Sequence, residues 1–212
     1  MIPAEVPLTV PTWSSFYRDA DWRSAKAKVI YYLRATAEQG EVWAIETGVA
    51  QRRVAQSVIA FVPPGRNFQN SPSAPVDRQT FLSCLGDQAV TPIDETTIYE
   101  SVDHRPKEVL ENSWMITLIG TVPEGAGKGL ASDLIELVIK RAAKSGVGVC
   151  VPTTFQPRMG FYEKLGFQHI VTKEGTNDLG EKMTEYMMFR PFSDSDPAHV
   201  DACVRASSIV PV

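Results

Sequence analysis

Val122-Pro123-Glu124-Gly125-Ala126-Gly127-Lys128-Gly129-Leu130-Ala131-Ser132 joins a β-branched run ending at Thr121 to an amphipathic stretch that continues to Lys144. Strand, glycine turn and helix in that order make a cradle for an anion. Glycine lets the main chain approach a ligand closely, and the unpaired N–H groups of a helix's first turn present the positive end of its dipole. A phosphate suits such a turn. Two better-known phosphate loops do not fit. The P-loop needs a glycine five positions before the Gly-Lys pair and a hydroxyl residue after it, where Val122 and Gly129 stand. The dinucleotide fingerprint G-x-G-x-x-G needs glycine at 130 or 132, where Leu130 and Ser132 stand. Neither ATP nor NAD is favoured.

Working outward, residues 114–122 are apolar on both faces through Met115, Ile116, Leu118, Ile119 and Val122, the pattern of a central strand covered by helices. The helix after the turn puts Leu130, Leu134, Leu137 and Val138 on one face and stops at Gly146. Upstream, Asp21 caps a helix marked by Trp22, Ala25, Val29 and Leu33 that ends at Gly40. Residues 41–46 and 54–62 then read as a hairpin closed by Pro63-Pro64-Gly65. Residues 65–76 read as a loop or lid, 77–85 and 94–102 as helices, and 6–10 as a short strand. Downstream come a strand at 147–151, a short helix at 157–165, a strand at 167–172, a polar loop at 173–182, a closing strand at 186–189 and a last helix at 197–206.

The chain has 212 residues, 43% of them hydrophobic, enough for one domain to bury a core without staples. Twenty-one basic against 25 acidic residues give a net charge of -4, which opposes a nucleic-acid surface. Cys84, Cys150 and Cys203 are widely spaced and form no Cys-x-x-Cys or Cys/His cluster, so a reducing compartment without a metal site is expected. No run of eighteen apolar residues and no charged leader occurs, which reads as cytoplasmic, with no membrane partner.

A second motif, Phe161-Tyr162-Glu163-Lys164-Leu165-Gly166-Phe167, ends in a glycine suited to a helix C-cap. Together with residues 123–132 it resembles the coenzyme A loop and C-terminal signature of the GNAT acyltransferases. The likeness is strongest to the puromycin N-acetyltransferase group, through His104-Arg105-Pro106-Lys107-Glu108, Gly127-Lys128-Gly129-Leu130 and Phe161-Tyr162-Glu163. It covers roughly residues 21–191, with 1–20 as a shortened N-terminal segment and 192–212 as a tail within one acyltransferase domain over 1–212. The resemblance implies an α/β (α+β) fold, with a central mixed, mostly antiparallel twisted sheet flanked by helices and splayed at its central strands.

What the resemblance implies for the site is specific. The central strand and its continuation, Leu118, Ile119, Gly120, Thr121 and Val122, would bind the pantetheine arm of acetyl-CoA through unpaired backbone groups, with the acetyl carbonyl near the N–H groups of Leu118 and Ile119. Ala126, Gly127, Lys128, Gly129, Leu130 and Ala131 would hold the diphosphate, and Arg158 would meet the arm or a phosphate. Tyr162 would be the general acid that protonates the leaving thiolate. As the base that takes a proton from the amine, Asp103, Glu108 and Glu111 are candidates, with Glu108 carried forward and His104 as runner-up. A core tyrosine beside Phe161 and Phe167, and carboxylates on an exposed loop, are the plain structural alternatives.

Three departures from the family pattern stand out. Ala126 replaces a Gln or Arg, Arg158 replaces an Asn, and Ala131 replaces a Gly. The front is also short, because only about twenty residues precede the helix that starts near Trp22, where the family has a strand and a helix; that first helix is compressed into residues 13–19 or missing. Two functions therefore stay open: transfer of an acetyl group from acetyl-CoA to a primary amine of a small molecule by direct transfer in a ternary complex, or a non-catalytic acetyl-CoA-binding or regulatory module. Aminonucleoside-like or polyamine-like acceptors suit the acidic residues Asp94, Glu95, Glu100 and Asp103, and a second copy of the chain is a candidate partner.

Overall fold

A computed structural model describes residues 22–48, 53–89, 109, 111–193 and 208–211. In chain order these form α1 (Trp22–Gln39), β1 (Glu41–Thr47), β2 (Val54–Val62), α2 (Ala74–Leu85), β3 (Ser113–Thr121), α3 (Leu130–Ala143), β4 (Gly148–Thr153), α4 (Met159–Glu163), β5 (Gln168–Thr176), β6 (Lys182–Arg190) and β7 (Ser208–Pro211). The strands make one sheet in the order β5-β6-β4-β3-β2-β1-β7. Every neighbouring pair is antiparallel except β3 and β4. The expected mixed, mostly antiparallel sheet flanked by helices is what forms.

Alternation along β2 explains the layering, because successive side chains leave opposite faces of a strand. Ile59 and Phe61 join Leu134, Ile135, Val138 and Ile139 of α3 in the main core, together with Trp114, Ile116, Val149, Val151, Tyr162 and Met188. Val62 turns the other way, toward Tyr31 and Ala35 of α1 and Phe68. Thus α3 and α4 cover one face while α1 and α2 cover the other. The second helix adds its own small cluster, in which Phe81 and Leu85 meet Ala27 of α1 and Leu179.

Two sequence expectations are corrected. The polar stretch 173–182 is not a loop: Lys173, Glu174, Gly175 and Thr176 pair in register with Glu185, Thr184, Met183 and Lys182. Because β5 is the edge of the sheet and mostly exposed, residues 173–176 lack the apolar alternation that marks a half-buried strand. The loop predicted over 65–76 ends earlier, since α2 starts at Ala74 with Pro75 in its first turn, where a missing N–H costs nothing. The strand expected at 6–10 and the helices expected at 94–102 and 197–206 lie outside the described residues. Among the described residues, no helix is long and apolar enough to cross a membrane.

Candidate active site

The site begins where β3 and β4 part company. These parallel strands pair only at Ser113, Trp114 and Met115 against Gly148, Val149 and Cys150, although β3 runs on to Thr121 and β4 to Thr153. Beyond Met115 and Cys150 the two edges splay, and main-chain N–H and C=O groups on the facing sides have no strand to bond. Such groups take water or a ligand. Leu118, Ile119, Gly120 and Thr121 all lie on the open stretch of β3.

A β-bulge coincides with the parting. On the other side of β3, Phe61 pairs with Ile116 but Ala60 pairs with Leu118, so Thr117 is an extra residue with no partner. The side-chain phase slips accordingly: Trp114 and Ile116 enter the main core at the normal interval of two, and the next to pack there is Ile119 rather than Leu118. The Thr117 hydroxyl donates to the carbonyl of Ala60 at 3.1 Å and shares a hydrogen bond with Thr36 of α1 at 2.8 Å. Sequence reasoning missed this residue. Its signal was a hydroxyl inside an otherwise apolar run covered on both faces. A further tie holds the far end of the strand, where buried Ser57 donates to the Gly120 carbonyl at 3.1 Å and bonds the Thr121 hydroxyl at 2.8 Å.

The glycine turn follows directly. The Val122 N–H is anchored to the Gln56 carbonyl at 2.9 Å, and residues 123–125 form a single 3₁₀ turn. Gly125 is buried, and a β-carbon there would be tight against the side chains of Leu130 and Thr121, each 3.0 Å from its position. Gly127 and Gly129 take φ of 74° and 83°, the left-handed region, and open space surrounds both. The first main-chain bond across the start of α3 is made by the Asp133 N–H to the Gly129 carbonyl at 3.0 Å, so the N–H groups of Leu130, Ala131 and Ser132 precede the helical ladder. Ala126 and Lys128 are exposed beside them. The turn is open to a ligand, as an anion cradle requires.

After β4, a 3₁₀ turn at Gln156–Arg158 leads into α4, which carries Tyr162 into the core. Tyr162 is 3% exposed and meets Phe161 and Phe167 edge-on, with ring centroids 5.2 and 5.8 Å away. It packs as a core tyrosine, in the cluster that contains Ile116, Ile119 and Val151 at the parting strands. Burial pushes its phenol up to about 12, with the nearby Arg158 cation pulling the other way. Half-buried Arg158 also lies 5.8 Å from the ring of exposed Phe155. The thiol of Cys150, buried in β4, is likewise pushed up to about 12 by desolvation, which makes it inert rather than nucleophilic.

These two acids set an alkaline limit on stability. Both are held neutral in the fold with raised pKa, so their contribution is full below the unfolded values, about 9 for the thiol and 10 for the phenol, and is lost as pH rises toward about 12. Unfolding midpoints in urea are expected to fall across pH 9–12, and Cys150→Ala is expected to flatten the earlier part of that fall. A midpoint independent of pH there would contradict the buried states of both groups.

Glu108, Asp103 and His104 lie outside the described residues, as does the acidic run Asp94, Glu95 and Glu100. Of the three carboxylate candidates only Glu111 is described, and it is exposed just ahead of β3. A cavity of about 230 Å³ opens at the same end of the sheet, on the β6 side of β4, lined by Thr154, Asn177, Glu181, Thr184 and Tyr186 among others. No sequence motif pointed to it. Among the described residues, no group of three His, Cys, Asp or Glu side chains is placed to hold a metal ion.

Residues 96–167 match the model of the acetyltransferase (GNAT) family, a span that contains β3, the glycine turn, α3, β4 and α4. A crystal structure of a candidate phosphinothricin N-acetyltransferase is 14% identical with a TM-score of 0.50, covering 86% of this chain and 87% of that one. The ribosomal-protein-alanine N-acetyltransferase of Brucella melitensis is 11% identical with a TM-score of 0.47, over 87% of this chain and 91% of its own. The ribosomal-protein-S18-alanine N-acetyltransferase of Escherichia coli is 20% identical with a TM-score of 0.35 over 40% of this chain, which spans 57% of that protein's length. At these identities the likeness to solved structures is one of fold.

Proposed function

We propose that this chain, whose residues 96–167 match the acetyltransferase (GNAT) family model, moves an acetyl group from acetyl-CoA to a primary amine of a small molecule by direct transfer within one acyltransferase domain. The observation that carries the reading is the parting of β3 from β4 after Met115 and Cys150, immediately before an open glycine turn. An extended arm with amide groups can add itself to the free edge of β3 over Leu118, Ile119 and Gly120, while its diphosphate takes the N–H groups of Gly127 to Ala131. The thioester carbonyl then faces backbone donors near the bulge, which stabilise negative charge on its oxygen in the transition state.

The chemistry balances with three proton movements. An ammonium first loses a proton, for which Glu108 is the proposed base, directly or through water. The free amine nitrogen bonds to the acetyl carbon, the C–S bond breaks, the thiolate takes the phenolic proton of Tyr162, and the acylated nitrogen gives up its second proton through water to the phenolate, which restores Tyr162 and leaves a neutral amide. A phenol pushed up to about 12 stays protonated at neutral pH. It is a weak acid in water terms, but a thiolate released into the same desolvated pocket has its own proton affinity raised by the same cause. The acceptor would enter through the cavity at Thr154, whose Glu181 carboxylate suits a cationic amine.

Calorimetric titration with acetyl-CoA, followed by thiol release across a panel of aminonucleosides, polyamines and amino-acid amines, tests the proposal. Binding with release supports it. Binding without release from any amine supports a non-catalytic acetyl-CoA module instead, and no binding at millimolar concentration rejects both. Within the titration, Lys128→Ala is expected to weaken acetyl-CoA about two- to fivefold at low ionic strength and less at 0.5 M salt, because the ammonium is exposed and screened while the backbone cradle remains. A loss of a hundredfold or more would assign the diphosphate to the lysine rather than to the turn.

A further inference from the structure

We propose that the buried ion pair between Lys28 and Asp178 positions the acceptor amine, by pinning the tip of the β5–β6 hairpin to α1 and so fixing the wall of the cavity in which that amine is recognised. The proposal rests on the acetyl-transfer reading above. Lys28 Nζ and Asp178 Oδ2 are 3.0 Å apart, both side chains are 9% exposed, and the ammonium also lies 5.1 Å from the centre of the Phe81 ring. The two residues are 150 positions apart in sequence, so the contact joins the helical layer to an element that otherwise belongs to the edge of the sheet.

The tip it holds is internally stiff. Asn177 Oδ1 accepts from the Leu179 and Glu181 N–H groups at 2.9 and 3.0 Å, and the Asn177 N–H donates to the Glu181 carbonyl at 2.9 Å. The Asn177 side-chain amide donates to Glu181 Oε2 at 2.7 Å, which fixes the carboxylate that lines the cavity. Gly180, with φ of 73°, closes the turn. Leu179 drops into the small cluster of Phe81, Leu85 and Ala27. A stiff tip moves as a body, so the place of Glu181 relative to Thr154 across the cavity is set by what the tip is fastened to.

An ion pair is a poor choice if stability alone were at stake. Desolvating two charges cancels much of their attraction, and apolar pairs of similar volume hold buried surfaces at least as well. What the pair adds is direction: a charge-assisted hydrogen bond fixes distance and angle, while an apolar contact tolerates sliding. That difference supplies the test. Asp178→Asn removes the carboxylate charge 3.0 Å from the Lys28 ammonium, and Lys28→Met combined with Asp178→Leu restores packing without the directional bond.

With the amine of highest kcat/KM from the panel, Asp178→Asn is expected to raise the acceptor KM about tenfold, with kcat within about threefold and the acetyl-CoA Kd within about twofold. The double variant is expected to recover the wild-type Tm or exceed it while the acceptor KM stays raised. A KM that returns to normal together with Tm makes the pair purely structural and overturns the proposal, as does a KM unmoved in the double variant should Asp178→Asn fail to fold. If the wild-type chain releases no thiol with any amine, the acetyl-transfer reading fails first and takes this inference with it; if the wild type turns over and the variants match it, only this inference fails.

Discussion

Tyr162→Phe is expected to lower kcat for acetyl transfer by roughly a hundred- to a thousandfold while the Kd for acetyl-CoA stays within about a factor of two. The substitution removes one oxygen and keeps the ring, so the edge-on contacts to Phe161 and Phe167 survive and the core around Val151 and Ile116 stays filled. A buried hydroxyl whose loss changed only packing would shift Tm by a few degrees and leave turnover alone. A hydroxyl that delivers the proton to the leaving thiolate would do the reverse. The pH profile adds a second readout: because burial holds the phenol near 12, the wild-type rate is expected to show no limb from this group between pH 6 and 10, and any rise across that range belongs to the base. The ratio of kcat values, measured by thiol release at saturating acetyl-CoA, decides the role. An unchanged kcat would return Tyr162 to the core and leave the thiolate without an acid.

Much of the fold was legible because it is written in features that survive without context. The 54–62 strand follows from a run of β-branched and small apolar residues, and the structure gives the same bounds. The helix from Leu130 and the stop before Gly146 follow from spacing and from a glycine that takes φ of 65°. What failed was the edge of the sheet. The strand read over 167–172 continues as β5 through residues 173–176, which are polar and mostly exposed, so no apolar alternation distinguishes that extension from a loop, and only the register with β6 reveals it.

The site divides along the same line. Gly127, Lys128 and Gly129 were legible because the main-chain geometry they need is encoded in residue type, and the structure leaves that turn open. Tyr162 was named as the acid only through resemblance, since an aromatic between aromatics reads equally as packing. The bulge at Thr117 was not read at all. One extra residue in a strand changes no local propensity; it appears only when β2 counts five positions from Ser57 to Phe61 against six from Ile116 to Thr121 on β3. Thr36 and Asp178 escaped for a related reason, because each does its work on a partner that the chain brings close from a distance.

Gly40→Ala is expected to destabilise the fold by roughly 3 kcal/mol or more, which for a chain of this size corresponds to a fall in Tm of about 6–12 °C or more. In the sequence this glycine reads as a helix stop, and it is one: its N–H donates to the Thr36 carbonyl at 2.7 Å as α1 ends. It is also the point where the chain passes against β2. A β-carbon there would stand 2.2 Å from the Phe61 carbonyl oxygen and 2.8 Å from the Val62 α-carbon, both of them backbone atoms that cannot rotate away. The strand that would have to yield is the one that shapes the site, since Phe61 pairs with Ile116 and the Ala60 carbonyl receives the Thr117 hydroxyl. Relief of the clash therefore pushes on the bulge, and the protein that still folds is expected to bind acetyl-CoA more weakly than the loss of stability alone explains. Gly65→Ala is the control. Gly65 has φ of 73° with open space around it, so it meets only the strain of the left-handed region, roughly 1 kcal/mol, and leaves acetyl-CoA binding unchanged. Thermal melts and titrations of the two variants side by side test the argument, and a Gly40→Ala protein that melts within about 2 °C of the wild type would mean that β2 and the bulge it anchors are not held where this packing puts them.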